Sequence, residues 1–159
     1  MDDNGFQART LLIVEDDPSV TFVLREQLTK LGIDMHFAED GEQALEMLSK
    51  IHPDTILSDI RMPKKDGIEL LLEIRKIGFE IPVILLTGFG SKDYMKSAIR
   101  LGAVDFLDKP WDEKELLGVI QRSLEMGRRM KENELLTGDE KKKNDRTLTL
   151  LRMMNEKLR

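Results

Sequence analysis

The stretch Thr55-Ile56-Leu57-Ser58-Asp59-Ile60-Arg61-Met62-Pro63-Lys64-Lys65-Asp66-Gly67 decides how the rest of the chain is read. Its first half is a short apolar run that reads as a buried strand, and the run stops on a carboxylate just before a turn rich in Pro, Lys, Asp and Gly. Asp59 thus stands where a strand ends and a loop begins. In open parallel sheets reactive groups collect in the crevice outside the carboxyl ends of the strands, which makes an acid at this place a candidate for chemistry. Asp is also a common turn residue, so the position alone leaves both readings open.

Working outward, strand-like and helix-like segments alternate with short breaks, the pattern of a parallel sheet covered by helices on both faces. Thr10–Val14 reads as the first strand and runs into Glu15-Asp16-Asp17-Pro18, where Pro18 suits a first helical position. Val20, Val23, Leu24, Leu28 and Leu31 follow at helical spacing up to Gly32. A second strand is expected near Met35–Ala38, and Asp40 with Gln43 can cap the next helix. After the central stretch, Asp66 with Glu69 can cap a third helix that Gly78 ends. The continuous apolar run Ile81–Leu86 marks a strand buried on both faces, and Ser91 is placed to cap a fourth helix. Val104–Leu107 reads as the fifth strand, followed by Asp108-Lys109-Pro110-Trp111 and a helix capped by Asp112 and Glu115. The expected fold is α/β, a flavodoxin-like doubly wound five-stranded parallel sheet in the order 2-1-3-4-5 with five helices and a C-terminal helical extension.

Four strand ends then carry polar residues: Asp16 and Asp17 after the first strand, Asp59 after the third, Thr87 after the fourth and Lys109 after the fifth. In the order 2-1-3-4-5 the first and third strands are neighbours, so Asp16, Asp17 and Asp59 would meet. Two carboxylates about 5 Å apart repel by roughly 3 kcal/mol at an effective dielectric near 20, so the trio needs a cation or protons. Oxygen donors without His or Cys suit a hard ion such as Mg²⁺. A carboxylate held against Mg²⁺ is a competent nucleophile towards phosphorus, and Lys109 with the Thr87 hydroxyl would meet the charge spread over a transferring phosphoryl group. Each residue also has a simpler reading: Asp17 as the cap before Pro18, Thr87 as a β-former, Lys109 as a solvated loop charge.

Taken together, Glu15-Asp16-Asp17, Ser58-Asp59-Ile60-Arg61-Met62-Pro63-Lys64-Lys65-Asp66-Gly67, Leu86-Thr87-Gly88 and Leu107-Asp108-Lys109-Pro110 resemble the receiver domain of bacterial two-component response regulators over roughly residues 9–124. The resemblance implies that Asp59 accepts a phosphoryl group from a histidine kinase or phosphotransfer protein. It also implies that Asp16, Asp17, Asp59 and the backbone carbonyl of Arg61 surround Mg²⁺, and that Thr87 and Lys109 contact the phosphoryl oxygens. Phe106 matches the family's switch aromatic, which turns inward as Thr87 moves towards the phosphoryl group and remodels the face of the fourth helix, fifth strand and fifth helix. The resemblance further implies a cis bond at Lys109-Pro110. Trp111 stands where Phe is more usual, and packing under the fifth helix is favoured over a docking role. A Mg²⁺-dependent aspartyl-phosphate phosphatase would share the nucleophile and metal, but Arg61 stands where a second acid would be wanted. A nucleotide- or flavin-binding module would need a Gly-rich loop, which the helix starts lack.

Length and composition limit what the chain can be. The 159 residues suit one domain with an appendage, here an N-terminal tail over 1–8, a receiver over 9–124 and a helical extension over 125–159. There is no cysteine, hence no disulfide and no thiolate chemistry. The acidic start Met1-Asp2-Asp3-Asn4 and the absence of a long apolar run lead us to expect a cytoplasmic chain with no membrane contact. The formal charge of −5 divides into an acidic body and a mildly basic tail. His36 and His52 lack a partner at ligand spacing and read as structural or solvent-facing.

The tail is the least explicit part. Glu125–Leu136 can continue the fifth helix, although Gly127 and Arg128-Arg129 interrupt its apolar seam, and Thr137–Asp145 reads as a solvated break. Leu148, Leu151, Met154 and Leu158 form an amphipathic stripe too short to be stable alone. A homodimer through the fifth helix and tail is therefore expected, with a downstream protein partner or output domain and no direct nucleic-acid contact from this chain.

Overall fold

Alternation along the strands separates the core into two layers, and the computed structural model, which describes residues 8–88, 92–138 and 140–157, shows both. The strands β1 (Thr10–Val14), β2 (Asp34–Ala38), β3 (Thr55–Asp59), β4 (Val83–Thr87) and β5 (Asp105–Asp108) form one parallel sheet in the order β2-β1-β3-β4-β5. Helices α1 (Pro18–Leu28), α2 (Gly41–Ile51), α3 (Gly67–Ile77), α4 (Lys92–Arg100) and α5 (Glu113–Thr137) follow the five strands in turn, and a sixth, α6 (Glu140–Lys157), closes the chain. Leu11 and Ile13 of β1 pack with Leu57, Leu86 and Leu107 beneath α1 and α5. Leu12 and Val14 face the other way, with Ile56 and Leu85, beneath α2 and α3. Residues of period two thus serve two cores, as expected for strands buried on both faces.

The helix starts follow from their caps. Asp17, Asp40, Asp66 and Asp112 each accept a hydrogen bond from a backbone N–H in the first turn that follows. At α2 Asp40 accepts from the Gln43 amide at 2.8 Å, while Gln43 Oε1 reaches back one residue further and accepts from the Glu39 amide at 2.7 Å. The cap expected at Ser91 lies outside the described residues. Element boundaries shift by a residue or so: β2 begins at Asp34, β5 ends at Asp108, and α1 passes into a 3-10 turn over Thr29–Leu31 before Gly32.

The tail departs from the expectation in two ways. First, the charged segment expected as a solvated break is helical from Glu140 onward, because its Lys and Glu residues are good helix formers. Second, the packed face of α6 is Arg146, Leu150 and Met153 rather than the stripe of Leu148, Leu151 and Met154; Leu158 lies outside the described residues. Leu150 is 2% exposed and joins the core beneath α2 and α3, whereas Leu148 is 52% and Leu151 46% exposed. The Arg146 guanidinium covers the Phe79 ring at 5.1 Å and pairs with Glu134 at 2.6 Å, on the same face of the helix as Leu150 and Met153.

Gly127 acts as a packing residue. A Cβ there would lie 1.6 Å from the Asp54 carbonyl oxygen, so only Gly lets α5 pass this close to the loop before β3. Asp54 in turn accepts from the Thr10 amide at 2.8 Å and pairs with Lys131 at 2.8 Å, tying the extended part of α5 to the amino end of the sheet.

Candidate functional site

At the opposite, carboxyl end of the sheet, β3 delivers Asp59 and the following turn folds back over it. Gly67 donates its amide to the Ile60 carbonyl at 2.7 Å, and a Cβ on Gly67 would lie 2.3 Å from the Asp59 carbonyl oxygen. The Pro-Lys-Lys-Asp-Gly turn therefore requires its glycine, and it holds Asp59 at 8% exposure.

The partners of Asp59 are Glu15, Asp16 and Lys109. Carboxylate oxygens of Glu15, Asp16 and Asp59 all lie within 4.8 Å of one another. The Lys109 ammonium, on the loop after β5, donates to Asp59 Oδ2 at 2.9 Å and to Glu15 Oε2 at 3.1 Å. Lys109-Pro110 is cis, as the resemblance implied.

Asp17 is a correction. The sequence reading placed Asp16 and Asp17 beside Asp59, but Asp17 is exposed and its Oδ1 accepts from the Ser19 amide at 2.9 Å and the Ser19 hydroxyl at 2.7 Å. Those hydrogen bonds hold its carboxyl below the usual range. Pro18 at the first helical position makes the residue before it the cap, and a carboxylate used in this way is turned towards the helix. Glu15 takes the place assigned to Asp17. Its amide still pairs with the Ala38 carbonyl at 3.0 Å, so the alternation Leu11, Ile13, Glu15 carries on past the end of β1, towards the same side as Leu57 and Asp59. Extending that count by one residue was the signal available in the sequence.

The electrostatics follow from burial. Glu15 is 3% exposed, and desolvation, followed by the charge of Asp59, pushes its carboxyl up to about 7 against the opposing pull of Lys109. For Lys109 desolvation favours the neutral amine, but the hydrogen bonds and charges of Asp59 and Glu15 outweigh it and hold the ammonium above its ordinary value. An oxygen-only donor trio with one built-in cation is the donor chemistry of a hard divalent ion.

The remaining predicted residues are distributed as follows. Thr87 is buried, and its hydroxyl donates to Asp108 Oδ1 at 2.7 Å rather than to the acidic cluster. Phe106 is half-buried against the core beneath α2 and α3. Arg61 is exposed just after β3. Trp111 packs into the core beneath α1 and α5, and its indole N–H donates to Gln27 on α1 at 2.7 Å, so the packing reading holds with α1 as the partner. His52 ends α2 with a left-handed backbone, and burial, then the charges of Lys143, Lys131 and Arg146, lowers its pKa.

Comparison with known proteins agrees with this geometry. A family profile described as response regulator receiver domain matches residues 11–121. The chain is 39% identical over 122 residues to the regulatory protein AtoC of Escherichia coli K12, covering 77% of this chain and 26% of that protein. It is 39% identical over 132 residues to the C4-dicarboxylate transport transcriptional regulatory protein DctD of Pseudomonas aeruginosa, covering 82% and 29%. The chain thus spans less than a third of the length of these relatives. Among solved structures, the signal receiver domain of an HD domain-containing protein from Pseudomonas fluorescens Pf-5 superposes with a TM-score of 0.75 at 31% identity, over 80% of this chain and 94% of that one. With five parallel strands in the order 2-1-3-4-5 and an acidic cluster met by a lysine at their carboxyl ends, the chain belongs to the response regulator receiver family.

Proposed function

We propose that the chain is a phosphorylation-controlled switch in which Asp59 is the phosphoacceptor. The observation that carries this reading is the Lys109 ammonium 2.9 Å from Asp59, with Glu15 and Asp16 closing the cluster. An Asp59 oxygen attacks phosphorus, the bond from phosphorus to the donor breaks, and the donor, a phosphohistidine imidazole of a histidine kinase or phosphotransfer protein, leaves with the electron pair. Lys109 then exchanges its bond to the Asp59 carboxylate for one to a phosphoryl oxygen. Glu15, Asp16 and Asp59, with the Arg61 carbonyl, would hold Mg²⁺, whose charge offsets the repulsion between an incoming phosphoryl group and a carboxylate.

The output is a change at the face of α4, β5 and α5 that reaches a protein partner or an output domain. AtoC and DctD are named as regulators, DctD of transcription, and a receiver spanning less than a third of such proteins fits the role of their input module. Turnover of other phosphate esters draws no support, since Arg61 rather than an acid stands two residues after Asp59.

Incubation with a small phosphodonor and Mg²⁺ tests the reading by intact mass. The wild-type chain should gain one phosphoryl group and Asp59→Asn none. A phosphoryl group on Asp59→Asn would move the acceptor elsewhere.

A further inference from the structure

Thr87 and Asp108 are direct partners in the register of β4 and β5, and the Thr87 hydroxyl spends its hydrogen on Asp108 Oδ1 at 2.7 Å. A hydroxyl has one proton to donate, so it serves either Asp108 or a phosphoryl oxygen. The two bonds exclude each other. Strand alternation adds a geometric reason: Leu85 and Phe106 lie on the sheet face beneath α2 and α3, which places Thr87 and Asp108 on that side, whereas Asp59 is in register with Leu86 on the side of α1 and α5. To reach a group on Asp59 the hydroxyl must release Asp108 and turn across the strand end. The Lys109 amide holds the Thr87 carbonyl at 2.7 Å, so the backbone is pinned and the change falls on the side chain.

We propose that Asp108 is a positioning residue that holds the Thr87 hydroxyl away from the phosphorylation site until a phosphoryl group competes for it. The proposal rests on Asp59 as phosphoacceptor and on Thr87 as a phosphoryl contact. Asp108 is exposed while Thr87 is buried, so the carboxylate remains hydrated and only the hydroxyl has to choose. The latch sets the fraction of molecules whose Thr87 is ready, and a ligand that needs the ready state binds more weakly by that fraction. Asp108 also lies two residues beyond Phe106 on the same side of β5, so its release changes the edge of the sheet next to the switch aromatic.

Calorimetric titration of the full chain with beryllium fluoride and Mg²⁺, a phosphoryl mimic, tests this. Asp108→Ala should tighten binding about threefold to tenfold, the range expected when one competing hydrogen bond is removed. Asp108→Asn keeps an acceptor oxygen but no charge and should tighten it less. Removing a negative charge near an anion would also tighten binding, so the decisive arm is the double variant: in a Thr87→Val background, where only that charge effect is left, Asp108→Ala should tighten binding clearly less than it does in the wild type. Equal tightening in both backgrounds, or none in wild type, overturns the latch. If Asp108→Ala does not fold, Asp108→Asn carries the same cycle. No binding by the wild type, or undiminished binding by Asp59→Asn, instead removes the phosphoacceptor reading on which the latch depends.

Discussion

Glu15 is held between two demands: it sits beside Asp59 and Lys109 in a site that suits a cation, and it is buried enough to prefer a proton. Its carboxyl titrates near 7 in the folded protein against an ordinary value of 4.5, so the folded state binds a proton that the unfolded chain has released between those pH values. Stability from this group is therefore fully present below about 4.5 and is lost as pH rises to about 7, a loss on the order of a few kcal/mol. Urea unfolding of the metal-free protein at pH 5 and pH 8, as round test values on either side of the window, should show wild type losing stability and Glu15→Gln losing less. Equal slopes would mean that Glu15 is not the group responsible. Adding Mg²⁺ at the higher pH should restore wild type by up to about 2.7 kcal/mol at a hundredfold excess over Kd, with a smaller gain in Glu15→Gln.

Among the elements, α6 is where sequence and structure part most clearly. Its stripe of Leu148, Leu151 and Met154 has the spacing of a buried face, yet Arg146, Leu150 and Met153 do the packing. Arg146, Leu150 and Met153 share one helix face. Arg146 binds Glu134 on α5 and covers Phe79 beyond α3, and once it is placed the residues four and seven positions on must face α2 and α3. Leu150→Ala should cost about 2–3 kcal/mol by leaving a cavity in the core beneath α2 and α3, while Leu148→Ala should stay within about 0.5 kcal/mol. Chemical denaturation of both variants compares the two faces directly. Equal costs would mean that α6 does not hold this orientation in solution.

For the whole molecule, the helical tail already finds cover inside the chain, and self-association has to use what is left. Leu135 and Leu136 at the end of α5, with Leu148 and Leu151 on α6, are exposed. We expect a two-fold dimer through these residues that Leu135→Ser/Leu136→Ser weakens, read by light scattering across a dilution series. A wild-type chain that stays monomeric throughout would leave the tail as an internal brace. The sequence by itself determined the five βα units, the acidic helix caps at Asp40, Asp66 and Asp112, and the placing of Asp59, Thr87 and Lys109 at strand ends, because periodicity, caps and turn residues are local signals, while the strand order came with the fold that the motifs resemble. Tertiary structure decided the rest. Glu15 displaced Asp17 because helix capping and strand alternation compete for adjacent acids, and only the folded path past β1 resolves them. Gly127 proved necessary because α5 crosses the Asp54 carbonyl, a contact between residues 73 positions apart. Thr87 turned to Asp108 because the β4–β5 register sets the two side by side, and no spacing along the chain encodes which of two acceptors a single hydroxyl proton will take.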